Sequence, residues 1–196
     1  ISDQVKTKNE LIESQSRLLT LINSTPDIIC FKDGKGRWMI ANDADLELFC
    51  LKHVDFRGKT DLELAEFTDP IYKNAFITCV ENDEKAWNAK RVVISEETIP
   101  TKNGVQLVYE TIKVPIFDEN GDRKGLVILG RNITERKKSE EKIIESQKKL
   151  KSLQDLFRNV ADNMPDMLWA KDLKGKYLFA NKALCEKLFQ IRDTST

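Results

Sequence analysis

The sequence predicts an α+β fold: a five-stranded antiparallel sheet with helices on one face, flanked by long helices. Three observations predict it. Strand-type runs come as a pair before residue 41 and as a triplet after residue 91, with only short helical patterns between them. Long stretches without Gly or Pro, rich in Glu, Lys, Gln and Leu, stand on either side of that block. The chain also says one thing twice: Pro26-Asp27, Lys32-Asp33 and Ala41-Asn42 return as Pro165-Asp166, Lys171-Asp172 and Ala180-Asn181, an offset of 139 (165 − 26).

Residues 1–24 read as a helix with two apolar columns, Val5, Ile12, Leu19 and Leu11, Leu18, closed by Leu21 and Ile22. That stripe is wider than a strict coiled-coil seam. Asn23-Ser24-Thr25-Pro26 ends the helix. Ile28–Phe31 is a short strand, Asp33-Gly34-Lys35-Gly36 a tight turn, and Trp38–Ile40 the returning strand. Asn42 is placed to cap a helix carrying Ala44, Leu48 and Phe49. Between Asp61 and Val80 the pattern gives short helices, with Ile71, Ala75 and Phe76 on one face. Three longer strands follow, Arg91–Ile99, Val105–Phe117 and Lys124–Asn132, separated by turns at residues 102–104 and 118–122. In the middle one, Val105, Leu107, Tyr109 and Thr111 alternate with Gln106, Glu110 and Lys113.

Asn132-Ile133-Thr134-Glu135 reads as a capping box that starts a helix where the last strand ends. That linker carries an apolar stripe, Ile143, Ser146, Leu150, Leu153, Phe157 and Val160. Ile12-Glu13-Ser14-Gln15 recurs in it as Ile144-Glu145-Ser146-Gln147, an offset of 132 (144 − 12). The two offsets differ by seven residues (139 − 132), one heptad, so the second helix is longer but keeps its phase. The expected organisation is a signalling and dimerisation helix at 1–24, a domain at 25–132, a coiled-coil linker at 133–163, and the start of a second domain at 164–196.

Composition removes several functions. Net charge is zero with both signs interspersed, which gives no basic face for nucleic acid. No apolar run approaches the ~20 residues of a membrane span. The four cysteines lack paired spacing and sit among apolar neighbours, which points to small buried thiols in a reducing, cytoplasmic setting. The chain reads as a piece of a longer protein, and its last forty residues as too small to bury a core without another surface to pair with.

The motifs Pro26-Asp27-Ile28-Ile29, Asp33-Gly34-Lys35-Gly36-Arg37, Ala41-Asn42-Asp43-Ala44, Gly58-Lys59-Thr60-Asp61-Leu62 and Arg131-Asn132-Ile133-Thr134-Glu135-Arg136 together resemble the PAS domains of bacterial sensor proteins. The resemblance covers about residues 18–136 as one domain and 156–196 as the opening of a second. It implies the PAS fold in a sensory module of a signalling protein of histidine kinase or diguanylate cyclase type. Its signal would pass through Asn132, Ile133, Thr134, Glu135 and Arg136 to a dimeric linker. The family usually has Asp where Asn132 stands, so the ion pair that Asp allows is absent here.

Haem-binding members place a histidine on the helix before the third strand, and residues 68–80 contain none; the single histidine, His53, falls in a loop. The light-sensing cysteine motif is missing too, so the cofactor is left undefined. No phosphate loop, nucleophile elbow or zinc-protease motif appears, which argues against an enzyme and against a metal site. Glu63, Glu66 and Asp69 read as a solvated helix face. What remains is the space between sheet and helices. Cys30, Lys32, Ile40, Asn42, Phe49, Tyr72, Phe76, Tyr109 and Leu129 are the residues expected to line it, either as a packed core or as a small-molecule pocket with Tyr72, Tyr109 and Asn42 as polar handles. Lys32 shares a strand face with Ile28 and Cys30; it either snorkels out past the strand end or points inward to pair with an anionic ligand. Two functions compete: a sensor that responds to a ligand or partner, and a constitutive dimerisation spacer that binds nothing.

Overall fold

The computed structural model describes residues 2–189, with side chains described over residues 8–188. Val5 of the first apolar column and residues 190–196 of the second repeat therefore lie outside the described side chains. The chain divides into two units, residues 1–136 and 137–196.

The first unit opens with helix α1 (Ser2–Asn23), then strands β1 (Ile28–Asp33) and β2 (Trp38–Ala41). Helices α2 (Asp43–Leu48) and α3 (Asp61–Ala65), a 3-10 turn (Pro70–Tyr72) and helix α4 (Lys73–Ala89) follow. Strands β3 (Val93–Pro100), β4 (Gln106–Phe117) and β5 (Arg123–Asn132) complete it. The five strands pair antiparallel in the order β2-β1-β5-β4-β3, so the first strand sits next to the last. The core lies between the inner sheet face and α2–α4, where Phe49 stacks on Phe76 with ring centroids 4.6 Å apart and meets Tyr72 at 5.9 Å.

Four sequence expectations need correction. Helix α4 runs to Ala89, well past Val80. Its second half hides because two inward positions, Asn82 and Asp83, are buried yet polar and interrupt the apolar period before Ala86 and Trp87. Ile40 is exposed on the outer sheet face rather than inside. A register shift opposite Phe31 and Lys32 turns Trp38 and Ala41 inward and breaks the alternation that would have carried Ile40 with Trp38. Leu129 also faces out, because β5 pairs Ile128 with Cys30 on the inner face and Leu129 with Ile29 on the outer. The run Leu126–Leu129 is apolar throughout and does not reveal its own parity. Lys113 shares the inner face with Tyr109 and Thr111 and is fully buried.

Asn42 ties helix α1 to the sheet. Its Oδ1 accepts from the Ile29 N–H (2.9 Å) and the Asp45 N–H (3.1 Å), and its Nδ2 donates to the carbonyls of Ile22 (2.9 Å) and Asp27 (2.8 Å). It caps α2 as expected, but no polar function is left over for a ligand.

Helix α5 (Thr134–Asn163) begins at the end of β5. The second unit continues it with a hairpin, β6 (Trp169–Lys171) and β7 (Tyr177–Ala180), helix α6 (Lys182–Leu184) and a π turn (Cys185–Phe189). Asn181 repeats the Asn42 bonds: Oδ1 accepts from the Leu168 and Leu184 N–H groups, and Nδ2 donates to the Ala161 and Asp166 carbonyls. Lys171 lies over Tyr177 (4.2 Å to the ring centre), as Lys32 lies over Trp38 (5.6 Å).

Candidate functional site

Lys32 points inward. Strand β1 presents Ile28, Cys30 and Lys32 on its buried face, and the lysine carries its ammonium into the middle of the fold. There Nζ donates to both Asp61 oxygens, at 2.7 and 2.6 Å, and to Asp83 Oδ2 at 2.6 Å. Lys113 enters from β4 and donates to the other Asp83 oxygen at 2.6 Å, with Glu97 Oε1 2.9 Å away. Asp83 therefore holds one lysine on each oxygen. The surrounding donors complete the network: Trp38 Nε1 to Asp61 (3.2 Å), Asn82 Nδ2 to Glu97 (2.9 Å) and the Cys79 thiol to Glu97 (3.7 Å).

Each group arrives from a different element. Asp61 opens α3 under a capping box between Thr60 and Glu63, Asp83 sits on the inward face of α4, Glu97 on β3, Lys32 on β1 and Lys113 on β4. The cluster thus fastens three strands to two helices beside the apolar core. Burial opposes charge on both lysines, but their carboxylates more than compensate and hold both ammonium groups above the ordinary lysine range. Two ammonium groups against three carboxylates leave the cluster one negative charge in excess.

A fourth carboxyl stands next to it. Asp45 on α2 is buried and lines a small cavity together with Cys30, Lys32, Trp38, Phe49 and Asp61. Among the described residues nothing hydrogen-bonds its carboxyl group. Burial raises it, Lys32 pulls it down, the like charges of Asp61 and Glu97 raise it, and the balance pushes it up to about 8. The cavity measures about 20 Å³, room for one water-sized group. Burial likewise raises the Cys30 and Cys79 thiols well above their usual range, so both stay protonated.

Of the nine residues expected to line a pocket, Cys30, Lys32 and Phe49 border this cavity. Phe76, Tyr72 and Tyr109 are buried but do not border it, Asn42 is committed to backbone, and Ile40 and Leu129 face outward. An inward Lys32 does not call for an anion, because its charge is already met by two of the chain's own carboxylates. Trp38, Asp45, Asp61, Cys79, Asp83, Glu97 and Lys113 escaped sequence reasoning. The signal that finds Lys113 is its parity with Tyr109 and Thr111 on one strand.

The second feature is the start of α5. The Ile133 N–H donates to the Val108 carbonyl (2.8 Å), and the Val108 N–H donates to Thr134 Oγ1 (2.9 Å). Asn132 Oδ1 accepts from both the N–H (3.0 Å) and the hydroxyl (2.6 Å) of Thr134. Ile133 and Thr134 are buried, while Arg131 pairs with Asp27 (3.0 Å) and Arg136 approaches Glu110 (3.7 Å). The helix is therefore clasped to strand β4, the strand that delivers Lys113 to the charge cluster.

A model of the PAS fold matches residues 22–138, more than half of the chain, and a second PAS domain model matches residues 155–188. The aerobic respiration control sensor protein ArcB of Escherichia coli is 29% identical over 129 residues, 64% of this chain and 16% of that protein. The methanogenesis regulatory histidine kinase FilI of Methanothrix harundinacea is 22% identical over 138 residues, 70% of this chain and 15% of that protein. The chain thus spans about a sixth of the length of these relatives. Among solved structures, the phage VqmA–DPO complex matches with a TM-score of 0.51 at 22% identity, over 71% of this chain and 60% of that one. The Vibrio cholerae VqmA–ligand–DNA complex matches at 0.50 and 22%, over 60% and 50%. The sheet order, the clasped strand-to-helix exit and the family match over residues 22–138 agree: this chain belongs to the PAS family, as a sensory domain related to those of histidine kinases.

Proposed function

We propose that this chain is the input segment of a cytoplasmic signalling protein of histidine kinase type. In it, a change inside the first PAS domain moves the start of α5 and, through it, a dimeric linker. One observation carries this reading: β4 holds Lys113 in the charge cluster and, through Val108, the first turn of α5. A shift of β4 that alters one alters the other. The names of ArcB and FilI, a sensor protein and a histidine kinase, favour a kinase output over a diguanylate cyclase.

The dimer rests on the apolar stripes. Leu11, Leu18 and Leu21 of α1, and Ile143, Leu150, Leu153 and Val160 of α5, are more than half exposed. In a homodimer these stripes meet as a coiled coil and remove that surface from water. No described helix is long and apolar enough to cross a membrane. Light scattering of the chain tests the dimer. A dimer weakened by removal of residues 1–20 supports the reading, and a monomer at high concentration contradicts it.

The constitutive spacer remains the second reading, favoured by the small cavity, since the interior is largely filled by its own ion pairs. A four-residue insertion in α5 does not separate the two. Both readings lose output to a broken phase, but only the sensor also responds to changes at Asp45.

A further inference from the structure

The interior already binds ammonium groups. Lys32 sits between Asp61 and Asp83, and Lys113 between Asp83 and Glu97, all at 2.6–2.9 Å. The fourth carboxylate, Asp45, is 2% exposed, faces the cavity and has no hydrogen-bond partner among the described residues. The cavity is about 20 Å³, which matches one water-sized group. Its other walls include Ile28, Ile99 and Ile128 and the aromatic residues Trp38 and Phe49.

We propose that this cavity binds the ammonium ion, as a third ammonium group held by the Asp45 carboxylate. The proposal deepens the sensor reading by naming the ligand class of its input. The charge balance supports it. With Asp45 ionised, the two lysines face four carboxylates, and a bound cation returns the excess to the single negative charge that a proton on Asp45 also leaves. Proton and ligand therefore compete for one group. The titratable groups around it are Cys30 and Lys32 on β1, Asp61 on α3, Cys79 and Asp83 on α4, Glu97 on β3, and Tyr109 and Lys113 on β4. An anion meets the cluster's own excess negative charge, and a larger amine exceeds the space. A surface groove of about 260 Å³ between the β1–β2 turn, α3 and α4 borders Asp61 and Asp83 from outside.

The route from this site to α1 is short. The Asp45 N–H donates to Asn42 Oδ1, and Asn42 Nδ2 holds the Ile22 carbonyl of α1. Occupancy at Asp45 thus bears on the helix ahead of the domain as well as on β4.

The test is thermal melting of the whole chain at pH 8.5 in chloride salts of ammonium, methylammonium, sodium, potassium and tetramethylammonium at equal ionic strength. The expected result is a rise of roughly 4 °C near saturation with ammonium only, the methylammonium salt serving as the size control. Asp45→Asn is expected to remove that rise. Because that variant changes the interior, a second readout uses the unmodified chain: nuclear Overhauser contacts between ¹⁵N-ammonium and the methyls of Ile28, Ile99 and Ile128. Equal shifts for all five cations, or no contact between ammonium and those methyls, overturns the proposal. Specific binding with no change in the spacing of the α5 helices upholds the site and overturns the sensor reading.

Discussion

Lys32 and Asp83 form an ion pair of 2.6 Å in the interior, with side chains 1% and 9% exposed, and Lys113 occupies the second Asp83 oxygen at the same distance. Buried pairs of this kind add little net stability over an apolar filling, yet removing one partner strands a charge. Asp83→Ala leaves two lysines short of a carboxylate and is expected to cost about 3–5 kcal/mol. Arg131→Ala, which breaks the exposed pair with Asp27, is expected to leave the unfolding midpoint nearly unchanged. Urea unfolding midpoints of the two variants check the contrast; similar losses contradict it.

Asp45 gives stability an unusual pH dependence. Its folded pKa, about 8, lies above the unfolded carboxyl value, so the folded state holds a proton that the unfolded chain releases. Its contribution is fully present below about 4, falls as pH rises, and is gone above about 8. Asp45→Asn keeps the neutral shape, so the difference in stability between variant and wild type is expected to grow in the variant's favour from pH 5 to pH 8.5. Chemical denaturation across that range measures it. A constant difference places the titration elsewhere.

The latch made by Asn42 is a matter of connectivity rather than charge. Asn42→Ala leaves the Ile29 N–H and the Ile22 and Asp27 carbonyls without their partner, and the expected loss is about 2–4 kcal/mol. Hydrogen exchange at the last turn of α1 is expected to speed up with it. Asn42→Asp, which keeps Oδ1 but loses both donated bonds, separates the cap from the latch.

Much of this was legible in the sequence. The strand pairs, the turns and the doubled Ala-Asn motif are local signals, written in Gly, Asn and alternation. Asn42 and Asn181 sit 139 residues apart in sequence and make corresponding bonds in each unit. The charge cluster was not legible. Its five members are spread from residue 32 to residue 113 on five elements, and apart from Lys32, whose strand parity hints at an inward side chain, each looks like an ordinary surface charge until the sheet places them together. The same cause hid the second half of α4, where Asn82 and Asp83 interrupt the inward apolar stripe before Ala86 and Trp87. Ile40 was misplaced by a single register shift, which no propensity encodes.

Thr134 is the narrowest point between domain and linker. Thr134→Val removes the acceptor for the Val108 N–H and the donor to Asn132, at a cost of about 1–2 kcal/mol. The sheet is expected to survive, with its circular dichroism unchanged. Exchange of the Val108 and Ile133 amides is expected to rise. Unchanged protection at both contradicts the clasp.

The central claim is that the interior of the first PAS domain is mechanically linked to α5 through β4. Pulsed electron–electron spectroscopy on the dimer, with a spin label attached at exposed Lys149 through an unnatural amino acid so that the native cysteines stay in place, tests it most directly. At pH 9 wild type carries an ionised Asp45, whereas Asp45→Asn is locked neutral. Different inter-label distance distributions are expected for the two, with loss of that difference when Thr134→Val is added. Identical distributions for wild type and Asp45→Asn would contradict it.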